Sequence, residues 1–516
     1  MSGTGTPRGR MGWLATRALI FALSLIVFLE GCAAVLWLLR PVYASAFMPG
    51  SAGATFLDWT SSGLYLLRGV AYASVVIMLL AGAIGFLRIL LGPVGPHLSS
   101  ASGRLKQVKE ALGVDEVFST LRRRGGAPWL PDALLLLSLV SAIVIAAYPY
   151  LPGFSLSRGF VGVDVPYYAL WLQGMNSAGS AVGTLSNAFH LAYDRGLSLI
   201  LMFAWWKLSG LSAMQTAQYF PLVLAPALVC VTYLFARLAG VGPLASSFFS
   251  LFTAFSFQVT VGMAGGFLAN WTGLLFFYLF FGSLLLSLRA GSRRALLLTA
   301  PLQVAILLTH SYTWAVALGV TGLLLVIYLL GWLRRVKVGR EVAMLASILG
   351  LGVAAYLIRN AALSVPAGGS EVLSFAGGAL ASSNLLSFVP TLMESVGESR
   401  DFVFLNPALL SLAAVGAVAA ASDDRLLSRF LTAFLAGASP LFFFGDVVMQ
   451  TRILYVLPVQ VLAVLGLFTL QRVVARRING RHSALVGYLL VAAFALISLN
   501  FALGSSYNLT TLGPLF

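Results

Sequence analysis

The stretch Leu197-Ser-Leu-Ile-Leu-Met-Phe-Ala-Trp-Trp-Lys-Leu-Ser-Gly-Leu211 decides on which side of the apolar segments every later loop falls. It is apolar but short, and its second half carries two tryptophans and a lysine, residue types that settle at the level of lipid headgroups. Counted as a crossing, it would put Arg237 and the cluster Arg289, Arg293 and Arg294 outside. Read as a helix lying along the outer interface, it leaves those residues inside with the other basic runs. The second reading is adopted, and the topology follows from it.

Working outward, the 516 residues are 59% hydrophobic and 9% charged, with a mean hydropathy of +0.94. Such a surface could not be kept in water, so the chain is read as an all-α, polytopic membrane protein. Apolar segments fall at about 18–39, 64–91, 132–150, 215–236, 244–261, 271–289, 295–312, 314–333, 341–358, 403–421, 430–445, 453–470 and 484–503. That predicts about thirteen transmembrane helices. Most of the 32 lysines and arginines then lie on one side, which by the positive-inside rule is the cytoplasm. The expected placement is multi-pass in the cytoplasmic membrane, N-terminus cytoplasmic and C-terminus external. The net charge of +16 sits in short runs between apolar segments, a membrane-anchoring pattern that argues against nucleic acid as a partner. Cys32 and Cys230 lie in apolar stretches and read as buried helix residues.

Three parts are expected. Residues 1–131 hold two N-terminal spans and a cytoplasmic linker, whose segment 92–131 reads as an amphipathic helix anchored to anionic lipid. The two spans are expected to pack as a peripheral pair, with Glu30 facing protein and Arg68 as its simplest partner. Residues 132–340 form a core with an external loop at 151–214, and 341–516 add further spans and a second external loop at 359–402.

The external loops hold the residues that look chemical. Foremost is Gly162-Val163-Asp164-Val165-Pro166-Tyr167-Tyr168, a carboxylate followed by two tyrosines. Pro166 disfavours helix at Val165, so Asp164 is expected in extended backbone with its side chain facing a cavity. The other candidates are His190, Asp194 and Arg195 in His190-Leu-Ala-Tyr193-Asp194-Arg195-Gly196, Asn270 in Gly265-Gly266-Phe267-Leu268-Ala269-Asn270-Trp271, His310 in Thr309-His310-Ser-Tyr312-Thr-Trp314, and Arg452 at the head of a late apolar run. The four histidines show no paired spacing of the kind that builds a metal site.

From 132 to about 333 this order of parts resembles the polyprenyl-phosphate-dependent glycosyltransferases of the GT-C superfamily, among them protein O-mannosyltransferases, lipid A aminoarabinose transferases and oligosaccharyltransferases. An early acid in the first external loop, two juxtamembrane helices before the second core span, a span running down to Arg237, and the histidine-aromatic turn at His310 all resemble features of that family. Asn270 stands where oligosaccharyltransferases carry an acid, and no acceptor-sequon-reading domain follows, so oligosaccharyltransferase itself is not expected.

The resemblance implies a GT-C-like core, a polyprenyl-phosphate-linked sugar as donor substrate, membrane lipid as surroundings, and inverting transfer to an acceptor on the extracytoplasmic face. It makes Asp164 the catalytic base. Arg452, then Arg195, would hold the leaving phosphate, with Tyr167, Tyr168 and Trp171 against sugar faces or the rim of the lipid groove, and His190, Asp194, Asn270 and His310 as further substrate-binding candidates. Participation of a divalent cation, and protein partners, are left open. The alternatives are a transporter or flippase of a lipid or small solute, for which Glu30 is the one clear intramembrane ionisable group, and a non-catalytic membrane assembly subunit.

Overall fold

The structure is a computed structural model that describes residues 7–43, 50–91, 106–122, 127–151, 160–192, 195–334, 336–363, 406–444, 447–478 and 482–511. Among these residues the regular elements are all helices, and eleven are long and apolar enough to cross a membrane. The chain is an integral, multi-pass, all-α membrane protein. The other two of the thirteen expected spans appear as the shorter apolar helices at Arg294–Thr309 and Pro407–Ala421. The first stops at His310, whose backbone (φ −163°, ψ 104°) is extended and interrupts what would be a longer apolar run into Ser311–Leu333.

The deciding stretch forms the helix Gly196–Ser209, 14 residues long. At 1.5 Å per residue it reaches about 21 Å, short of a hydrocarbon core of ~30 Å. Gly210, with φ 69°, ends it, and a capping box on Ser212 and Gln215 starts the next short helix, Ala213–Tyr219. It packs on Val165–Asn176 and Ala181–Ala192, the other helices of the first large loop. Ser198, Leu199 and Met202 face inward, while Leu201 and Leu208 are exposed. Lys207 donates to Asn176 Oδ1, and its ammonium lies 4.7 Å from the Trp206 ring centroid.

A continuous buried cluster runs from Ala33 to Leu509 and draws side chains from all three expected parts. Its densest region is aromatic, where Phe235, Phe277, Phe281, Phe430 and Phe434 meet from three helices. Elsewhere backbones touch directly. A Cβ on Gly416 would lie 1.9 Å from the Leu462 carbonyl oxygen, and one on Gly466 1.8 Å from that of Leu412, so Pro407–Ala421 and Val459–Arg477 can cross only with glycine at both points. The expected span 244–261 is two helices, Pro243–Ala254 and Phe257–Gly265. Just past the break Gln258 donates to the Tyr455 carbonyl (2.9 Å) and accepts from Gln460 (3.0 Å), satisfying an amide that would be costly if left alone in an apolar bundle.

Three expectations are corrected. The first two spans do not pair. Pro7–Leu39 packs chiefly on His482–Thr511, and Arg68–Leu91 on Pro407–Ala421 and Leu426–Phe444. Glu30 faces protein, where Asn500 donates to its Oε2 at 2.8 Å; the expected partner Arg68 has its side chain outside the described set. The helix Val114–Arg122, in the linker expected to anchor to lipid, buries Val117, Phe118 and Leu121 against the bundle instead, held by ion pairs from Asp115 and Glu116 to Arg425 and Arg476 (2.8 Å each). Cys230 is exposed on the outside of its helix and not buried.

Candidate active site

Gly162 and Gly266 place the acid. Both have positive φ, 105° and 64°. They let the loop before Val165–Asn176 lie directly on the turn after Phe257–Gly265, where the Val163 and Asp164 N–H groups donate to the carbonyls of Ala264 and Gly265 at 3.1 Å. A Cβ on Gly266 would stand 2.9 Å from the Asp164 nitrogen, so glycine is required for the approach as well as for φ.

Asp164 itself differs from expectation. Its backbone (φ −85°, ψ −5°) is helical and not extended, because Pro166 falls in the first turn of Val165–Asn176, where its fixed φ suits a helix and its missing N–H is not needed. Its side chain nonetheless makes no capping bond to that helix. The carboxylate is half-buried, and burial pushes its pKa above the ordinary aspartate value, while the guanidiniums of Arg195 and Arg452 act against that rise. Three segments far apart in sequence therefore bring one acid and two bases into a shared field.

Tyr168 is the tether between them. It is 1% exposed, accepts from the Ala269 N–H at 3.0 Å, and is hydrogen-bonded to Arg195. Burial pushes its phenol pKa up, with Arg195 opposing. A ring so enclosed is not placed to stack on a sugar face. Tyr167 is 56% exposed, with its ring 6.4 Å from that of Trp171, and the Arg195 guanidinium lies 5.9 Å from the Trp171 centroid.

Asn270 and His310 lie just behind. Thr313 Oγ1 donates to Asn270 Oδ1 at 2.9 Å, and the Thr313 N–H donates to His310 Nδ1 at 3.3 Å, so the ring caps its own helix. Both residues are buried. Tyr312 joins this layer to Arg452, its ring 6.3 Å from that of His310 and 5.8 Å from the Arg452 guanidinium. Arg452 lies inside the helix Val447–Val456 and not in a loop at the head of an apolar run. Thus Asp164, Tyr168, Arg195, Asn270, His310 and Arg452 form one connected group. His190 is exposed on Ala181–Ala192 and no described contact joins it to them, and Asp194 lies outside the described residues.

Sequence reasoning missed Gly266, Thr313 and Arg359. Thr313 was legible as the third residue after a potential cap at His310. Arg359, buried in the last turn of Gly339–Ala362, contacts the Leu307 carbonyl (3.4 Å) one turn before His310, and its signal was a lone basic residue at the expected outer end of a span.

No family model matches the chain, and no curated protein matches it. Among solved structures it is similar to ArnT from Cupriavidus metallidurans bound to undecaprenyl phosphate, at 14% identity and a TM-score of 0.44 over 75% of this chain and 78% of that one. Function has to be argued from the side chains themselves.

Proposed function

We propose that this chain is a membrane glycosyltransferase of GT-C type, moving a sugar from a polyprenyl-phosphate-linked donor to an acceptor hydroxyl on the extracytoplasmic face. The observation that carries the reading is Asp164, half-buried and uncapped, in the combined field of Arg195 and Arg452. In the step proposed, the acceptor hydroxyl gives its proton to Asp164 while its oxygen bonds to the anomeric carbon. The bond from that carbon to the phosphate oxygen breaks, and its electron pair leaves on the polyprenyl phosphate. Attack from the face opposite the leaving group inverts the anomeric centre. The two guanidiniums favour the charged form of the base beforehand and meet the charge that grows on the phosphate. Tyr168, Asn270, Thr313 and His310 hold the outer ends of three helices in register behind them.

The test is Asp164→Asn in the full chain, reconstituted with a polyprenyl-phosphate sugar. The isosteric amide keeps the shape and removes the base, so transfer falls by on the order of 10² or more with folding unchanged. Transfer at the undiminished rate would end the proposal.

A further inference from the structure

A cavity of about 320 Å³ lies between the N-terminal helices and the late ones, well apart in sequence from the residues around Asp164, with Glu30, Trp59, Val70, Ala408, Ser411 and Phe494 on its walls. These come from Pro7–Leu39, Ala52–Leu66, Arg68–Leu91, Pro407–Ala421 and His482–Thr511, so the space is bounded largely by apolar helices whose surroundings are lipid. Glu30 is the one ionisable side chain among its described lining residues.

The hydrogen bonds fix how Glu30 is presented. Trp37 Nε1 donates to Asn500 Oδ1 at 2.7 Å, and an indole can only donate, so the Asn500 amide is oriented unambiguously. Its Nδ2 then points to Glu30 and donates to Oε2 at 2.8 Å. Glu30 is thereby held as an acceptor, with one donor among the described residues, on the wall of an apolar space. A carboxylate at such a depth calls for a further donor, preferably charged.

We infer that this cavity binds a membrane lipid with a primary-amine headgroup, the hydrocarbon filling the apolar space and the ammonium hydrogen-bonding to Glu30. An anionic headgroup would be repelled. A quaternary ammonium has no N–H to donate. Because the walls come from both ends of the chain, the lipid also packs the N-terminal helices against the late ones.

The test is native mass spectrometry of the full chain titrated with phosphatidylethanolamine, phosphatidylcholine or phosphatidylglycerol of matched acyl chains. Phosphatidylethanolamine should bind about tenfold more tightly than either of the others, the gain from one charge-assisted hydrogen bond. Glu30→Gln should bring it level with phosphatidylcholine, and Ala408→Phe, which fills the space without touching the carboxylate, should weaken both. Equal binding of the three lipids by the unaltered chain, a preference for phosphatidylglycerol, or selectivity that survives Glu30→Gln would each overturn the inference. The unaltered chain decides the matter even if a variant fails to fold.

Discussion

The end of the bundle that holds Asp164 and the end that holds Asp423 use acids in opposite ways. Around Asp423 every described acid of the cluster touches its cations. Asp423, almost fully buried, lies 3.1 Å from Arg425 and 3.5 Å from Lys109 and accepts from Ser428 at 2.8 Å, and Asp115 meets Lys109 (3.1 Å) and Arg425 (2.8 Å). Hydrogen bonds to Lys109 hold the Asp115 carboxyl below its ordinary pKa, and those to Arg472 do the same for Glu116. At the other end Asp164 feels two arginines through space and is shifted the other way by burial. Direct contact uses the charge to fasten helices together, whereas an acid kept short of contact retains its basicity for a substrate proton. The difference separates a clasp from a site.

Substitutions that break the two ends should therefore separate activity from stability. The largest effect is expected from Gly266→Val, which adds a side chain 2.9 Å from the Asp164 nitrogen at a φ of 64°. Displacing the acid by about 1 Å should lower transfer by roughly 10² while donor binding persists, measured as turnover against donor affinity. Next is Asp423→Ala, which leaves Arg425 and Lys109 short of a buried partner. It should lower the stability of the detergent-solubilised chain by about 2 kcal/mol in thermal unfolding, with transfer per folded molecule unchanged. Glu116→Gln is the mildest, below ~1 kcal/mol, because its pairs with Arg472 and Arg476 are exposed. Its folded pKa is depressed, so its contribution is full above the ordinary glutamate value and fades as pH falls through the folded one. The Glu116→Gln deficit in thermal stability should shrink over that window.

The spans were legible because each is an apolar run bounded by basic or turn residues, and 197–211 was separated from them by its tryptophans and lysine and by the basic residues that follow it. What could not be read were relations between distant residues. Nothing near Glu30 points to Asn500, 470 positions away, and nothing near Asp115 points to Arg425. Within the site, Asp164 and Arg452 stood out as charges among apolar neighbours, whereas Gly162 and Gly266 matter only because two loops touch. Asp164 was misjudged locally, since Pro166 both disfavours helix at the residue before it and suits the first turn of one. The second effect prevailed once the helix had packed through Tyr168.

The most direct measurement is the pH dependence of transfer in the unaltered chain and in Arg195→Gln and Arg452→Gln. If the Asp164 carboxylate is the base, the rate falls as pH drops through a pKa above the ordinary aspartate value. Each arginine favours the charged form, so removing either should move that acid limb to higher pH, beyond any loss in donor affinity. An acid limb at the same pH in all three proteins, or one displaced to lower pH, would contradict the account.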